Sequence, residues 1–238
     1  MKKRIFAFAA VSVLLFTAAA VADTVTIDAI TSEWDNIRDQ DGQLRPEWHS
    51  DPPYEVNWPG GIIRWDSAVT PLLVPTDMPF LLGTFAHHNK LRDDAVTLTT
   101  VDRNLSIGNF ESPGMINTIV QFSLDATIDD LDPCPYPTTV GRGCSDLVTL
   151  SDFFYNEQIT DNGGNLYYLS LLGFSRDGGN TFDYSHVTPE YFTDVLNLYA
   201  IITNEPLSPA TVPEPASMLL LSAGLGGVGL TIWRKRKK

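Results

Sequence analysis

Apolar and polar residues alternate with period two through most of the middle of the chain. Val25, Ile27 and Ala29 alternate with Thr24, Thr26 and Asp28, and Ile63 and Trp65 sit opposite Ile62 and Arg64. Val96, Leu98 and Thr100 alternate with Thr97, Thr99 and Val101, and Val120, Phe122 and Leu124 with Gln121 and Ser123. Tyr168, Leu172 and Phe174 share a side around Ser170, and Leu196, Leu198, Ala200 and Ile202 alternate with Asn197 and Tyr199. Successive side chains of an extended strand point to opposite faces, so runs of this kind, rich in β-branched and aromatic residues, predict half-buried strands. Turn chemistry punctuates them. Asp161-Asn162-Gly163-Gly164-Asn165 precedes one strand and Arg176-Asp177-Gly178-Gly179-Asn180 follows it, with glycine supplying the positive φ of tight turns. The pattern predicts a mainly β domain over residues 23–205, an antiparallel β-sandwich or jelly-roll-like fold. Between Gln40 and Gly61 the density of Pro, Trp and acidic residues predicts a long ordered loop.

The two ends break this pattern. Met1-Lys2-Lys3-Arg4 is followed by an apolar run from Ile5 to Ala22, interrupted only by Ser12 and Thr17. It closes on Ala20-Val21-Ala22, a small-x-small site, with Asp23 next. Positive charge, apolar run and small residues in that order predict a secretory signal peptide over residues 1–22, cleaved before Asp23. At the other end, residues 216–233 carry no charge and reach roughly 27 Å as a helix, enough for a thin bilayer core. Arg234-Lys235-Arg236-Lys237-Lys238 follows directly, and such a cluster stays cytoplasmic. Both ends therefore place the intervening domain on the outer side of a membrane. Residues 206–211, bounded by Pro206 and Thr211, predict a stiff linker.

Charge sharpens the picture once the ends are set aside. Residues 23–211 hold 8 basic and 28 acidic residues, a net charge of −20. A surface of that sign repels nucleic acid and suits solubility or divalent cations. The abundance of Trp, Tyr, Phe and β-branched residues argues against disorder. Cys134 and Cys144 are the only cysteines and bracket a short loop rich in Pro and Gly. In an oxidising compartment they predict a disulfide that pins the loop.

At the C-terminus, Val212-Pro213-Glu214-Pro215, an apolar helix and a basic cluster stand in order, and residues 212–238 resemble a PEP-CTERM sorting signal. The resemblance implies Pro213, Glu214 and Pro215 as recognition residues. It also implies export, with signal peptidase and an exosortase as processing enzymes, and passage to the surface of an exopolysaccharide-making bacterium. Until then the chain is held at the inner membrane by its terminal helix. A second resemblance lies in the body. Phe80-Leu81-Leu82-Gly83-Thr84-Phe85-Ala86-His87-His88-Asn89, with Ile63-Arg64-Trp65 upstream and Leu172-Gly173-Phe174 downstream, is similar to the THxN family of PEP-CTERM proteins. Ala86 stands where that family has Thr, while His87 and Asn89 match the motif. The family supplies no biochemical activity to carry over.

Candidate chemistry outside the sorting signal is sparse. His87, His88 and Asn89 form a candidate binding segment. Adjacent histidines on one strand face opposite ways and cannot chelate one metal together, whereas a turn would let them splay. A purely structural role, with Asn89 capping a turn and one histidine satisfying a buried polar group, competes with this. His49 and His186 are distant in sequence, so spacing predicts no histidine cluster. Asp129, Asp130 and Asp132, with Asp125 nearby, are weak candidates for Ca²⁺, without the spacing of an EF-hand loop. No zinc-protease helix, P-loop, dinucleotide loop or nucleophile elbow is present in the sequence. Trp34, Trp48, Trp58 and Trp65 crowd the N-terminal third, either as core or as a carbohydrate platform. The expectation is a surface or matrix protein, associated with exopolysaccharide and without catalysis or resident cofactor. The alternatives are a carbohydrate-binding module and a secreted hydrolase.

Overall fold

The computed structural model describes residues 23–50, 54–90, 97–110, 114–126, 134–136, 144–161 and 163–208. Thirteen strands are described: β1 (Thr24–Ile27), β2 (Ala29–Asp39), β3 (Glu55–Trp58), β4 (Gly61–Ser67), β5 (Leu72–Pro75), β6 (Pro79–Asn89), β7 (Leu98–Phe110), β8 (Gly114–Asp125), β9 (Asp146–Asp152), β10 (Glu157–Thr160), β11 (Leu166–Ser175), β12 (Ser185–Thr188) and β13 (Thr193–Thr203). Every pairing among them is antiparallel. One sheet has the order β10-β11-β13-β6-β4-β3, the other β12-β9-β8-β7-β2, and β1 pairs with β5 as a small separate ribbon. Among the described residues no helix is long and apolar enough to cross a membrane, and the predicted span 216–233 lies outside them.

Period-two alternation builds the core. Val120, Phe122 and Leu124 of β8 and Leu196, Leu198, Ala200 and Ile202 of β13 all turn inward and are buried. The sheets meet at Phe85 of β6, whose ring stacks on Phe122 of the opposite sheet with centroids 4.7 Å apart. Phe174 closes the same aromatic group against Phe85 at 5.6 Å. All four tryptophans of the N-terminal third are core residues, Trp65 at 1% exposure and Trp48, the least buried, at 9%.

Departures from the sequence reading have local causes, and in β7 Leu98 and Val101, expected on opposite faces, are both buried. The stretch from Gln40 to Gly61 is not wholly loop: a short 3₁₀ turn, Pro46–Trp48, seats Trp48, and β3 pairs with β4. The alternation around Asp28 is two strands, so the inward phase passes from Val25 and Ile27 to Ile30. Tyr168 and Phe174 do not share a face. The register of β11 on β13 shifts between Leu171 and Gly173, where Gly173 adopts φ +120°. This bulge turns Phe174 into the core while Tyr168 stays half-exposed.

The sandwich has two distinct poles. β6 ends and β13 begins at one of them, with the disulfide between Cys134 and Cys144 beside the start of β9. β13 then runs roughly 35 Å to the opposite pole. There Asp23 and Asn204, at the two ends of the domain, line a single polar cleft with Asp161 and Tyr167.

Candidate functional site

Strand β6 carries the His-His-Asn segment to its end and splits it between two faces. His87 and Asn89 turn into the sandwich, each 1% exposed, and His88 turns out. His87 lies parallel to the Trp58 indole, with ring centroids 5.9 Å apart. Neither of its ring nitrogens has a hydrogen-bond partner among the described residues. Nε2 is 3.9 Å from Asp146 Oδ2, too far for a hydrogen bond. Burial therefore dominates and pushes the His87 pKa down to about 3, helped by His186 and His88 and opposed by Asp194. His87 is a neutral, packed imidazole.

Asn89 closes this pole of the fold. Its Nδ2 donates to Thr188 O at 3.2 Å, and its backbone N–H donates to Phe192 O at 3.0 Å. The two bonds tie β6 to the end of β12 and to the connection between β12 and β13. Ser145, Asp146, Thr188 and Glu190 are buried at the same pole, and Cys144 is buried next to them. Asn89 thus makes its hydrogen bonds from inside the sandwich.

The fold brings His186 to this pole despite its separation in sequence. His186 on β12 reaches across to the other sheet, where its Nε2 donates to Asp194 Oδ2 on β13 at 2.7 Å. Asp194 is the register partner of His87. Arg176 Nη2 lies beside the same ring, 2.9 Å from Nε2 and 3.3 Å from Nδ1. Arg176 also pairs with Asp194 at 3.5 Å. A cleft of about 220 Å³ opens on this group, lined by Phe174, Arg176, Asp183, His186 and Leu196 among others. Both nitrogens of His186 are engaged within the cluster. Short β12 offers no sequence signal that would have predicted this pairing.

On the outer face, His88 Nδ1 is hydrogen-bonded to Thr193 Oγ1 at 2.8 Å. His88, Thr193, Ala86, Ile62, Arg64 and Glu55 line a shallow groove of about 290 Å³. Arg64 pairs with Asp66 and lies 5.7 Å from the Tyr54 ring centroid. Trp34, Trp48, Trp58 and Trp65 are buried in the core.

The two Gly-Gly turns are held by their own aspartates. Asp177 accepts from the backbone N–H groups of Asn180 and Thr181 at 3.0 Å and from the hydroxyls of Ser175 and Thr181 at 2.8 Å. These bonds, the Thr181 N–H first, hold its carboxyl well below the usual range. Asp161 is held in the same direction, first by the Asn165 side chain. Among the described residues no group of three or more His, Cys, Asp and Glu is arranged to hold a metal ion. The candidate calcium ligands Asp129, Asp130 and Asp132 lie outside the described residues, as do Ala20, Ala22, Pro213, Glu214 and Pro215. Asp23 is described, and its carbonyl accepts from Thr76 N–H at 2.7 Å.

Residues 211–237 match the PEP-CTERM protein-sorting motif. That motif is a substrate signal for exosortase processing, and it marks the chain as an exported protein sorted at a membrane. No curated protein matches the chain.

Proposed function

We propose that the chain is a non-catalytic protein of the cell surface or extracellular matrix, delivered there by exosortase and retained with exopolysaccharide. One observation carries this reading: the sorting motif at 211–237 follows a disulfide-pinned β domain. The net charge of −20 over residues 23–211 suits a hydrated, soluble domain. Membership of the THxN family rests on the sequence match of His87 and Asn89, with Ala86 and Lys90-Leu91 as the departures. On this reading the motif's histidine and asparagine hold a pole together and leave the outer face of the sheet to contact the matrix.

The test is to follow the protein in its exporting host with and without Pro213→Ala, Glu214→Ala and Pro215→Ala together. The expected outcome is that the unaltered chain loses its basic tail and enters the surface or polysaccharide fraction, while the variant stays intact in the inner membrane. Identical distributions would end the proposal.

A further inference from the structure

The last strand does not simply release the chain into the linker. Beyond β13, Leu207 is held by Asn156, whose side-chain amide reads the peptide as a neighbouring strand would. Leu207 N–H donates to Asn156 Oδ1 at 2.8 Å, and Asn156 Nδ2 donates to Leu207 O at 2.9 Å. Tyr155 adds its hydroxyl, 3.2 Å from Leu207 O and 3.0 Å from Ser208 O. Asn156 is itself prearranged. It adopts φ +55°, a conformation that asparagine tolerates better than most residues. Its backbone N–H donates to the hydroxyl of fully buried Ser170 at 2.8 Å, and that hydroxyl lies 3.3 Å from Asn156 Oδ1. An amide locked from behind and bonded to both backbone polar groups of one residue is a built clasp.

We propose that the Tyr155–Asn156 clasp sets the length of the tether between the domain and its sorting signal. The inference rests on the sorting reading above. With the clasp closed, the spacer between the last clasped residue and Pro213 is residues 209–212, which reach at most about 14 Å. With it open, the spacer begins after Thr203 at residue 204 and reaches about 30 Å. Ser170, behind the clasp, is the register partner of Ile201 near the end of β13, so the clasped chain leaves close to the pole where Asp23 and Asn204 share a cleft. The short tether holds that pole toward the membrane enzyme, and the cluster of His87, His186 and Asp194 faces away from it.

The geometry makes a test by compensation. Deleting Pro209 and Ala210, which lie outside the matched residues 211–237, should slow tail removal about tenfold when the clasp is intact, because a tether too short to span cannot deliver the motif. The same deletion combined with Asn156→Gly, which keeps the positive φ and removes the amide, should restore processing to within about twofold of the undeleted chain. Pulse-chase in the exporting host reads both. Hydrogen exchange on the purified full chain in detergent should show a protected Leu207 amide that Asn156→Gly exposes. If Asn156→Gly does not fold, as judged by thermal melting, Tyr155→Phe carries the comparison. Equal effects of the deletion in both backgrounds, or an unprotected Leu207 amide in the unaltered chain, would overturn the clasp. Normal processing of the Pro213, Glu214 and Pro215 triple variant would instead overturn the sorting reading and leave the clasp measurement intact.

Discussion

His87 is the residue at which burial decides chemistry. Its folded pKa of about 3 lies below its ordinary value of 6.5. The unfolded chain therefore takes up a proton below pH 6.5 that the folded chain refuses until near pH 3. The stability this represents is complete above pH 6.5 and is lost as pH falls, at about 1.4 kcal/mol per pH unit. Urea unfolding should thus show roughly 2 kcal/mol less stability at pH 5 than at pH 7, and His87→Phe, which keeps a ring against Trp58, should flatten that difference. The lowered carboxyls of Asp161 and Asp177 act only below their ordinary 3.8, outside this window. A pH 5–7 difference retained in His87→Phe would reject the assignment. Arg103 is the second residue of this kind. It faces the core between Trp34, 4.6 Å from its guanidinium, and Trp65, 6.0 Å away, and donates to Ser32 O at 3.1 Å and Ser32 Oγ at 2.6 Å. Burial pulls its pKa down to about 9, so it remains charged at neutral pH. Arg103→Ala removes both the volume and the hydrogen-bonded cation and should cost about 3 kcal/mol, while Arg103→Met, which fills the space, should cost about half as much. Equal losses by chemical denaturation would mean that packing between the indoles is not what Arg103 supplies.

At the scale of elements, the close approach of β6 to β4 depends on Gly83. A Cβ there would run into the Trp65 indole and come within 2.9 Å of Asp66 O. Trp65 is fixed by core packing and by its Nε1–H, which donates to Ser67 Oγ at 3.1 Å, so it has little room to yield. Gly83→Ala should therefore lower the melting temperature, by an amount equivalent to about 1–3 kcal/mol. A melting curve unchanged from that of the native chain would show that the ring can move after all. Strands β8 and β13 were legible because an unbroken period of two maps directly onto buried and exposed faces. Strands β10 and β12 were not, since four residues flanked by turns, with only Ile159 and Thr188 buried, carry too little periodicity, and β9 was missed although its first five residues alternate. The reversal of phase in β11 was hidden for a different reason: a bulge depends on what the neighbouring strand allows.

For the whole molecule, the disulfide and the two poles matter most. The bridge joins Cys134 to Cys144 at the histidine pole, where Ser145 N–H donates to Tyr136 O at 3.2 Å and the Tyr136 hydroxyl donates to Asp125 Oδ2. Closing so short a loop should contribute roughly 3 kcal/mol at most, mainly by limiting the unfolded chain. Reduction should lower the urea midpoint accordingly without abolishing the sandwich, whose core of paired sheets does not pass through the bridge. Complete unfolding on reduction, read by loss of near-ultraviolet circular dichroism, would contradict that division of labour.

The sequence by itself determined the sorting signal and the class of fold. Export and sorting are read from short contiguous stretches by enzymes, and half-buried strands announce themselves by local alternation, so neither needs distant residues. It also determined that His87 and His88 face opposite ways, because that follows from the geometry of any strand. Only the tertiary structure decided that His186 meets Asp194 beside His87, that Arg103 lies between two indoles, and that Asn156 holds Leu207. Each of these contacts joins residues on separate elements, and which elements become neighbours is settled by how the sheets pair and pack.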